Sequence, residues 1–142
     1  MRALLDVNVL IALLDSDHAL HTSATQWFAA NAKEGWASCP ITQNGCVRVM
    51  AHPGYPNALP VTAIVERLAG AAAQPQHAFW PDDATILDGA VVDTSRIHGP
   101  GQLTDVYLLA LALKHRGRLV TFDKSIALEA VHGARKQHLL VL

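Results

Sequence analysis

Two short apolar runs, one near each end of the chain, stop at an aspartate, and this feature constrains the fold most. The first run ends at Asp6, and the second is Leu119-Val120-Thr121-Phe122, which ends at Asp123. A short apolar run with a polar stop is typical of a buried strand. Because burying an unpaired charge is costly, an aspartate in that place is expected to be paired, metal-bound or at the mouth of a pocket.

The remainder of the chain alternates predicted strands with predicted helices. Strands are predicted over residues 2–7, 36–39, 78–80, 118–122 and 139–142. Helices are predicted over residues 8–14, 19–32, 40–50, 61–73 and 105–116, with shorter ones around 83–88 and over 125–130. This alternation predicts a single α/β domain over residues 1–142, a three-layer α/β/α sandwich with a parallel central sheet. Ligands of such sheets bind beyond the carboxyl ends of the strands, where Asp6 and Asp123 are expected.

A third aspartate, Asp105, opens the predicted helix 105–116. Thr104 is suited to be its N-cap and Gly117 to its C′ position. An ordinary structural role is open to each acid: Asp6 as a helix cap, Asp105 as a first-turn acid that complements the helix dipole, and Asp123 as a turn residue. The three together indicate more than these separate roles.

If the three carboxylates converge, they need a compensating charge. Two of them about 4 Å apart would repel by roughly 4 kcal/mol at an effective dielectric constant near 20. A divalent cation or a trapped proton relieves that repulsion. Mg²⁺ prefers oxygen ligands and often takes only one or two carboxylates, with water and substrate phosphate completing its shell. Such a site favours phosphodiester hydrolysis, because the metal lowers the pKa of bound water and stabilises the developing charge.

Composition excludes several classes of protein. Hydrophobic residues make up 51% of the 142 residues and charged residues 16%, which excludes a disordered chain. The apolar surplus is explained either by a well-filled core or by a subunit interface. The net charge of −1 provides no global basic field for nucleic acid, so polyanion binding would depend on local cations. Candidates are Lys114, Arg116, Arg118 and Lys124.

Cysteine usage and hydropathy point to the cytoplasm. Cys39 and Cys46 lack the spacing of a zinc site and are expected to be buried, reduced thiols. The longest apolar run, residues 106–113, is too short to span a membrane. Asp6 interrupts the first apolar run too early for a signal peptide. We therefore expect a cytoplasmic protein without a membrane segment.

The sequence resembles the PIN-domain ribonucleases, and within them the VapC toxins of bacterial toxin–antitoxin pairs. Three stretches carry the resemblance: residues 4–11, residues 102–105 with the apolar positions that follow, and residues 117–123. The resemblance implies an α/β/α fold, a Mg²⁺- or Mn²⁺-dependent endoribonuclease, a cognate antitoxin and, with the apolar surplus, a homodimer. Asp6, Asp105 and Asp123 match the acidic positions. Asp6 and Asp105 would hold the metal, and Asp123 would orient a water or complete the shell.

One departure from the family pattern lies in the helix after the second strand. Many members carry a glutamate there, but residues 41–48 contain no acid. Gln43 or Asn44 would hold a metal-bound water or a phosphate in its place. Arg48, four residues after Asn44 and on the same helix face, is a candidate phosphate contact. A plain turn at Asn44-Gly45 is the alternative. The missing acid favours one tightly bound ion.

Other polar residues are assigned supporting roles. Asn8 would orient Asp6 or cap the first helix. Thr104 and Thr121 would donate hydrogen bonds to the carboxylates or to phosphate. Several further residues are expected at the surface, outside the site: His18, His21, His98, Asp82, Asp83, Asp88 and Asp93.

Two other functions remain open from the sequence. One is an aspartate-based phosphoryl-transfer enzyme with Asp6 as nucleophile, although phosphatases of the haloacid-dehalogenase type need a second aspartate where this chain has Asn8. The other is a degenerate PIN fold that binds RNA or protein without catalysis, which the missing glutamate supports.

Overall fold

The computed structural model describes residues 1–142, and at its centre lies a five-stranded sheet. The strands are β1 (Ala3–Leu5), β2 (Trp36–Ser38), β3 (His77–Phe79), β4 (Arg118–Thr121) and β5 (Leu139–Val141). Their order is β3-β2-β1-β4-β5, and every neighbouring pair is parallel. The predicted parallel sheet is confirmed.

Helices cover both faces of this sheet. They are α1 (Val7–Leu14), α2 (His21–Asn31), α3 (Pro40–Met50), α4 (Val61–Ala72) and α5 (Leu103–Lys114). One core forms where residues of α1, α3 and α4 meet one face, and a second forms where α5 meets the other. The three-layer α/β/α prediction is therefore confirmed.

The central strand β1 fixes the position of the aspartates. Leu4 and Leu5 have no exposed surface, as expected for a strand with neighbours on both sides and helices on both faces. Leu5 lies opposite Val120 of β4, so Asp6 and Thr121 are the next pair along the two strands. The two apolar runs that stop at aspartates thus end at the same edge of the sheet.

Helix α3 packs closely against α1 because Gly45 has no side chain. A Cβ at Gly45 would lie 2.7 Å from Cγ2 of Val7, closer than real contacts allow. Gly45 is buried in the interior of α3, so the alternative of a turn at Asn44-Gly45 is wrong. The helix begins at Pro40, whose missing N–H costs nothing in the first turn.

Both predicted ends of α5 are corrected. The N-cap position is held by Gln102, and Thr104 lies inside the first turn, because the 3₁₀ turn Pro100–Gln102 runs directly into the helix. At the other end Arg116 takes the left-handed conformation, with φ of 58°. Gly117 instead permits a close approach, since a Cβ there would lie 2.6 Å from the carbonyl oxygen of Arg2.

Two predicted short helices are absent. Residues 83–88 contain only a turn at 86–87, and residues 125–130 contain only the 3₁₀ turn Leu128–Ala130. Side chains explain both results, because they bind the backbone N–H two residues ahead and compete with helical hydrogen bonds. Thr85 accepts from the N–H of Leu87, Asp88 from that of Ala90, and Asp123 from that of Ser125.

Both cysteines are buried free thiols, as predicted. Burial raises the pKa of Cys46 to about 12. No helix combines the length and apolarity needed to cross a lipid bilayer.

Candidate active site

Asp6 is a buried carboxylate with both oxygens engaged. Only 6% of the residue is exposed. Oδ1 accepts a hydrogen bond of 2.7 Å from the N–H of Val7, which makes Asp6 the N-cap of α1, and Oδ2 accepts one of 2.6 Å from the hydroxyl of Thr121. Burial raises the pKa of Asp6, and these two hydrogen bonds oppose the rise. The side chain is held in one orientation at the end of β1.

Thr121 is the centre of the hydrogen-bond network around Asp6. Its buried Oγ1 accepts from the side-chain amide of Asn8 at 3.2 Å and from the N–H of Asp123 at 3.0 Å. Because both neighbours are N–H donors, the single hydroxyl proton is directed to Asp6. Asn8 also accepts from the N–H of Phe122 at 3.2 Å. Asn8 therefore contacts β4 and orients Asp6 through Thr121.

Asp123 is fixed by the turn that follows β4. Its Oδ1 accepts two hydrogen bonds from Ser125, one from the backbone N–H at 2.8 Å and one from the hydroxyl at 2.7 Å. These two bonds lower the pKa of Asp123. They occupy Oδ1 and leave the other oxygen available to a neighbour. Asp105 is the acidic neighbour of Asp123, because each of the two carboxyl groups shifts the pKa of the other.

Asp105 has the most perturbed carboxyl group of the three. It extends from the first turn of α5 and is partly buried. Burial, followed by the charge of Asp6 and the interactions with Asp123, raises the pKa of Asp105 to about 7. A proton on Asp105 therefore persists to higher pH than it would on an exposed aspartate. The charges of Asp6 and Asp123 both contribute to this rise, so the three predicted carboxylates lie in one electrostatic neighbourhood.

No basic side chain compensates this cluster. The four ion pairs of the protein involve Glu34, Asp93 and Asp83, and none involves Asp6, Asp105 or Asp123. No three His, Cys, Asp or Glu side chains lie close enough together to hold one metal ion, so the protein alone does not complete a coordination shell here. An open, uncompensated set of carboxylate oxygens fits Mg²⁺ or Mn²⁺, because Mg²⁺ keeps several waters and needs only one or two protein carboxylates.

Gln43 lies in a separate network on the other face of the sheet. Its Nε2 donates to Ser38 Oγ at 2.9 Å, and Ser38 Oγ lies 2.8 Å from Nε2 of His77. Gln43 is thereby held towards β2 and β3.

Of the remaining predicted site residues, Asn44 and Arg48 lie away from the carboxylates. Asn44 lines a groove of about 520 Å³ between α3 and α4, together with Val47 and Val65. Arg48 lines a different depression near the end of α3. The structure does not bring either residue into the network around Asp6. Thr104 is exposed in the first turn of α5, beside Asp105.

The residues expected outside the site have local partners. Nδ1 of His21 lies 2.7 Å from the carbonyl of Ala12, and Nδ1 of His18 accepts from the N–H of Leu20. Asp83 contacts Lys114 and His115. His98 is exposed in the loop before α5, and the other three acids lie along residues 82–93.

Ser125 is the residue near the site that sequence reasoning missed. Its two hydrogen bonds fix the orientation of Asp123, and the pattern Asp-x-Ser at residues 123–125 was an available signal. An aspartate side chain commonly accepts from the backbone N–H two residues on.

Sequence comparison identifies relatives that match nearly the whole chain. Residues 3–131 match the PIN domain family. Ribonuclease VapC44 of Mycobacterium tuberculosis is 56% identical over 142 residues, which covers all of both chains. Ribonuclease VapC39 of the same organism is 40% identical over 134 residues, covering 94% of this chain and 96% of the relative.

Two solved structures have a similar fold. The crystal structure of VapC20 from Mycobacterium tuberculosis, a Sarcin-Ricin loop cleaving toxin, superposes with a TM-score of 0.64 at 12% identity and covers 91% of this chain and 95% of that one. VapBC2 from Rickettsia felis, bound to a DNA fragment from its promoter, gives a TM-score of 0.59 at 13% identity and covers 100% of this chain and 98% of that one.

Proposed function

This chain belongs to the PIN-domain family and, within it, to the VapC proteins, and we propose that it is a Mg²⁺-dependent endoribonuclease, the toxin of a toxin–antitoxin pair. The observation that carries the proposal is the set of three converging carboxylates without a basic partner. Its relatives are named ribonucleases, and RNA is the substrate class we assign to this site.

Asp6 and Asp105 are the proposed ligands of Mg²⁺ or Mn²⁺. Thr121 and Val7 hold Asp6 in a fixed orientation, so little reorganisation is needed when a cation arrives. Asp105 lies in the first turn of α5, and the charge of Asp6 contributes to its raised pKa. When bound there, the cation would lower the pKa of a coordinated water and stabilise negative charge on the phosphate.

Asp123 is the proposed proton acceptor. Ser125 occupies its Oδ1, so Oδ2 is the atom free to orient a water and to take its proton. A water would pass a proton to Oδ2 as its oxygen adds to the phosphorus. The bond to the leaving ribose oxygen would then break, and that oxygen would take a proton from solvent. The lowered pKa of Asp123 keeps this carboxylate charged, so that it can accept a hydrogen bond from the water. No covalent enzyme intermediate is required.

One well-occupied metal ion is proposed, with at most a weak second. The glutamate found in many relatives is absent from α3, and Gln43 is turned towards Ser38. Crystals soaked in Mn²⁺ would reveal the number of ions by anomalous scattering. Two fully occupied sites in the wild-type protein would contradict this count.

The purified protein, a structured RNA and Mg²⁺ suffice to test the activity. We expect cleavage that EDTA abolishes and that Mn²⁺ restores. If the protein binds RNA but does not cut it with either metal, the degenerate, non-catalytic alternative is correct. Calorimetric titration with Mn²⁺ separates the two cases independently of the RNA chosen.

The proposed partners are a small antitoxin and a second copy of this chain. An arginine of the antitoxin would pair with the carboxylates of Asp6 and Asp105 and compete with Mg²⁺ for the same oxygens. Inhibition should therefore weaken as the Mg²⁺ concentration rises. Inhibition that is independent of Mg²⁺ would refute the arginine contact, and a monomer by light scattering at high protein concentration would refute the homodimer.

A further inference from the structure

Gln102 connects three segments that surround the carboxylates. Its Oε1 accepts a hydrogen bond of 2.8 Å from the backbone N–H of His98, and its Nε2 donates one of 3.3 Å to the backbone carbonyl of Ser125. Gln102 also holds the N-cap position of α5. One side chain thus joins the loop before α5, the start of α5 and the turn after β4.

The chemistry of the two partners fixes the orientation of the Gln102 amide. A backbone N–H only donates and a carbonyl only accepts, so Oε1 must face His98 and Nε2 must face Ser125. No other residue type of similar length offers both an acceptor and a donor at these positions. Methionine has the length without either group, and asparagine has both groups but is one carbon shorter.

The connected segments carry two of the three carboxylates. Asp105 lies three residues after Gln102, in the first turn of the same helix. Asp123 accepts both of its hydrogen bonds from Ser125, the residue whose carbonyl Gln102 binds. The bond between Gln102 and Ser125 therefore spans the gap between the helix end that presents Asp105 and the turn that presents Asp123.

We propose that Gln102 is a positioning residue that sets the spacing of Asp105 and Asp123 and thereby the affinity of the site for a divalent cation. This inference rests on the proposed function, because it assumes that the carboxylates bind such an ion. Without the clamp, the turn 123–125 moves independently of the start of α5. The carboxylates then need to be drawn together at the expense of binding free energy.

The test is calorimetric titration of the wild-type protein with Mn²⁺, compared with Gln102→Met and Gln102→Asn. We expect the dissociation constant for Mn²⁺ to rise about tenfold in both variants, the lower end of the effect of removing an outer partner of a metal ligand. Gln26→Met is the matched control, because Gln26 is an exposed glutamine of a different helix, α2. Its Mn²⁺ affinity should equal that of the wild type.

Cleavage kinetics separate positioning from a general loss of structure. The Mg²⁺ concentration for half-maximal cleavage should rise by the same factor as the Mn²⁺ dissociation constant. The rate at saturating Mg²⁺ should remain within about threefold, because the ion itself then holds the carboxylates together. A loss of maximal rate with unchanged metal affinity would overturn the inference.

A double variant tests whether the clamp acts through the turn. Ser125→Ala removes one bond to Asp123, and its combination with Gln102→Met should raise the Mn²⁺ dissociation constant by less than the product of the single effects. A full product would indicate independent actions and refute the clamp. Wild-type protein that binds no Mn²⁺ would refute the metal site and the clamp together, whereas binding that is equal in Gln102→Met would refute the clamp alone.

Discussion

Helix α5 has an aspartate near each of its ends, and the two aspartates are in opposite electrostatic states. Near the C-terminal end, Asp83 Oδ1 lies 2.9 Å from Nε2 of His115, and Oδ2 lies 3.7 Å from Nζ of Lys114. The hydrogen bond with His115 is the main reason that the pKa of Asp83 is lowered. At the N-terminal end, the pKa of Asp105 is raised to about 7 by burial and by two further carboxylates.

This comparison separates an acid with compensating partners from one without them. Both are aspartates beside the same helix, so residue type and helix dipole do not explain the difference. Asp83 lies beside a lysine and a histidine, whereas the charged neighbours of Asp105 are acids. Uncompensated charge costs stability, and a site that keeps it is ready for a cation from solution.

The largest difference between the two ends should appear in catalysis. Asp105→Asn and Asp6→Asn should lower the rate of RNA cleavage by about 10²–10³-fold, the range for removal of one preorganised electrostatic group. Asp83→Asn is the matched control and should cleave at the wild-type rate. Initial rates on one RNA at saturating Mg²⁺ provide the measurement, with circular dichroism as the check of folding. A wild-type rate in Asp105→Asn would remove that residue from the site.

Metal affinity should depend on pH at one end only. Mn²⁺ must displace the proton that Asp105 holds below its pKa of about 7, so affinity should fall about tenfold for each unit of pH below 7 and level off above it. Calorimetric titrations from about pH 5.5 to about pH 8.5 bracket this pKa and give the profile. Asp83→Asn should leave the profile unchanged, while Asp105→Asn should flatten it. A flat wild-type profile would contradict the raised pKa.

Asp6 differs from Asp83 in how its side chain is held, because the hydroxyl of Thr121, and not a cation, orients it. Thr121→Val should lower the cleavage rate about tenfold, as removal of an outer partner does. It also leaves the amide of Asn8 and the N–H of Asp123 without an acceptor, which should cost about 1–3 kcal/mol of folding free energy. Thr121→Ser keeps the hydroxyl and should retain most activity. Equal losses in both variants would show that the methyl group matters more than the hydrogen bonds.

The smallest effects should be on stability. Substitutions at the two ends of α5 should shift the melting temperature in opposite directions. Because the pKa of folded Asp105 exceeds the ordinary value of 3.8, its stabilising contribution is present below that value and is lost as pH rises through 7. Metal-free Asp105→Asn should therefore melt a few degrees above the wild type at pH 8 and equally at pH 4. The pKa of Asp83 is lowered, so its contribution is present above 3.8 and is lost as pH falls further. Asp83→Asn should melt below the wild type at pH 8. Melting shifts of the same sign would refute the contrast.

The sequence was sufficient to place the acids because the rule for parallel sheets is local and directional. A buried strand that stops at an acid places that acid at the carboxyl edge, and both Asp6 and Asp123 lie there. Asp105 followed from its position at the start of an apolar helix. The sheet and its covering helices followed from the alternation of apolar runs.

Features that depend on three-dimensional neighbours were missed or misassigned. Thr104 has the chemistry of an N-cap, but the preceding 3₁₀ turn gave that position to Gln102. Arg48 lies about 12 Å along the α3 axis from Pro40, so a shared helix face with Asn44 did not bring it near the carboxylates. The bonds of Gln102 go to backbone atoms of His98 and Ser125, and no residue type in the sequence marks those partners.

The pairing of β1 with β4 also has a consequence for the synthesis of the protein on the ribosome. Thr121 and Asp6 are hydrogen-bonded partners 115 residues apart, so the first strand waits for nearly the whole chain before it acquires this neighbour. Contacts of such long range form late and slowly. Under the proposed function, the chain is translated amid RNA that it could cut, and its carboxylates meet only once β4 has left the exit tunnel. An unfinished copy is therefore expected to have no cleavage activity towards the ribosome that is making it.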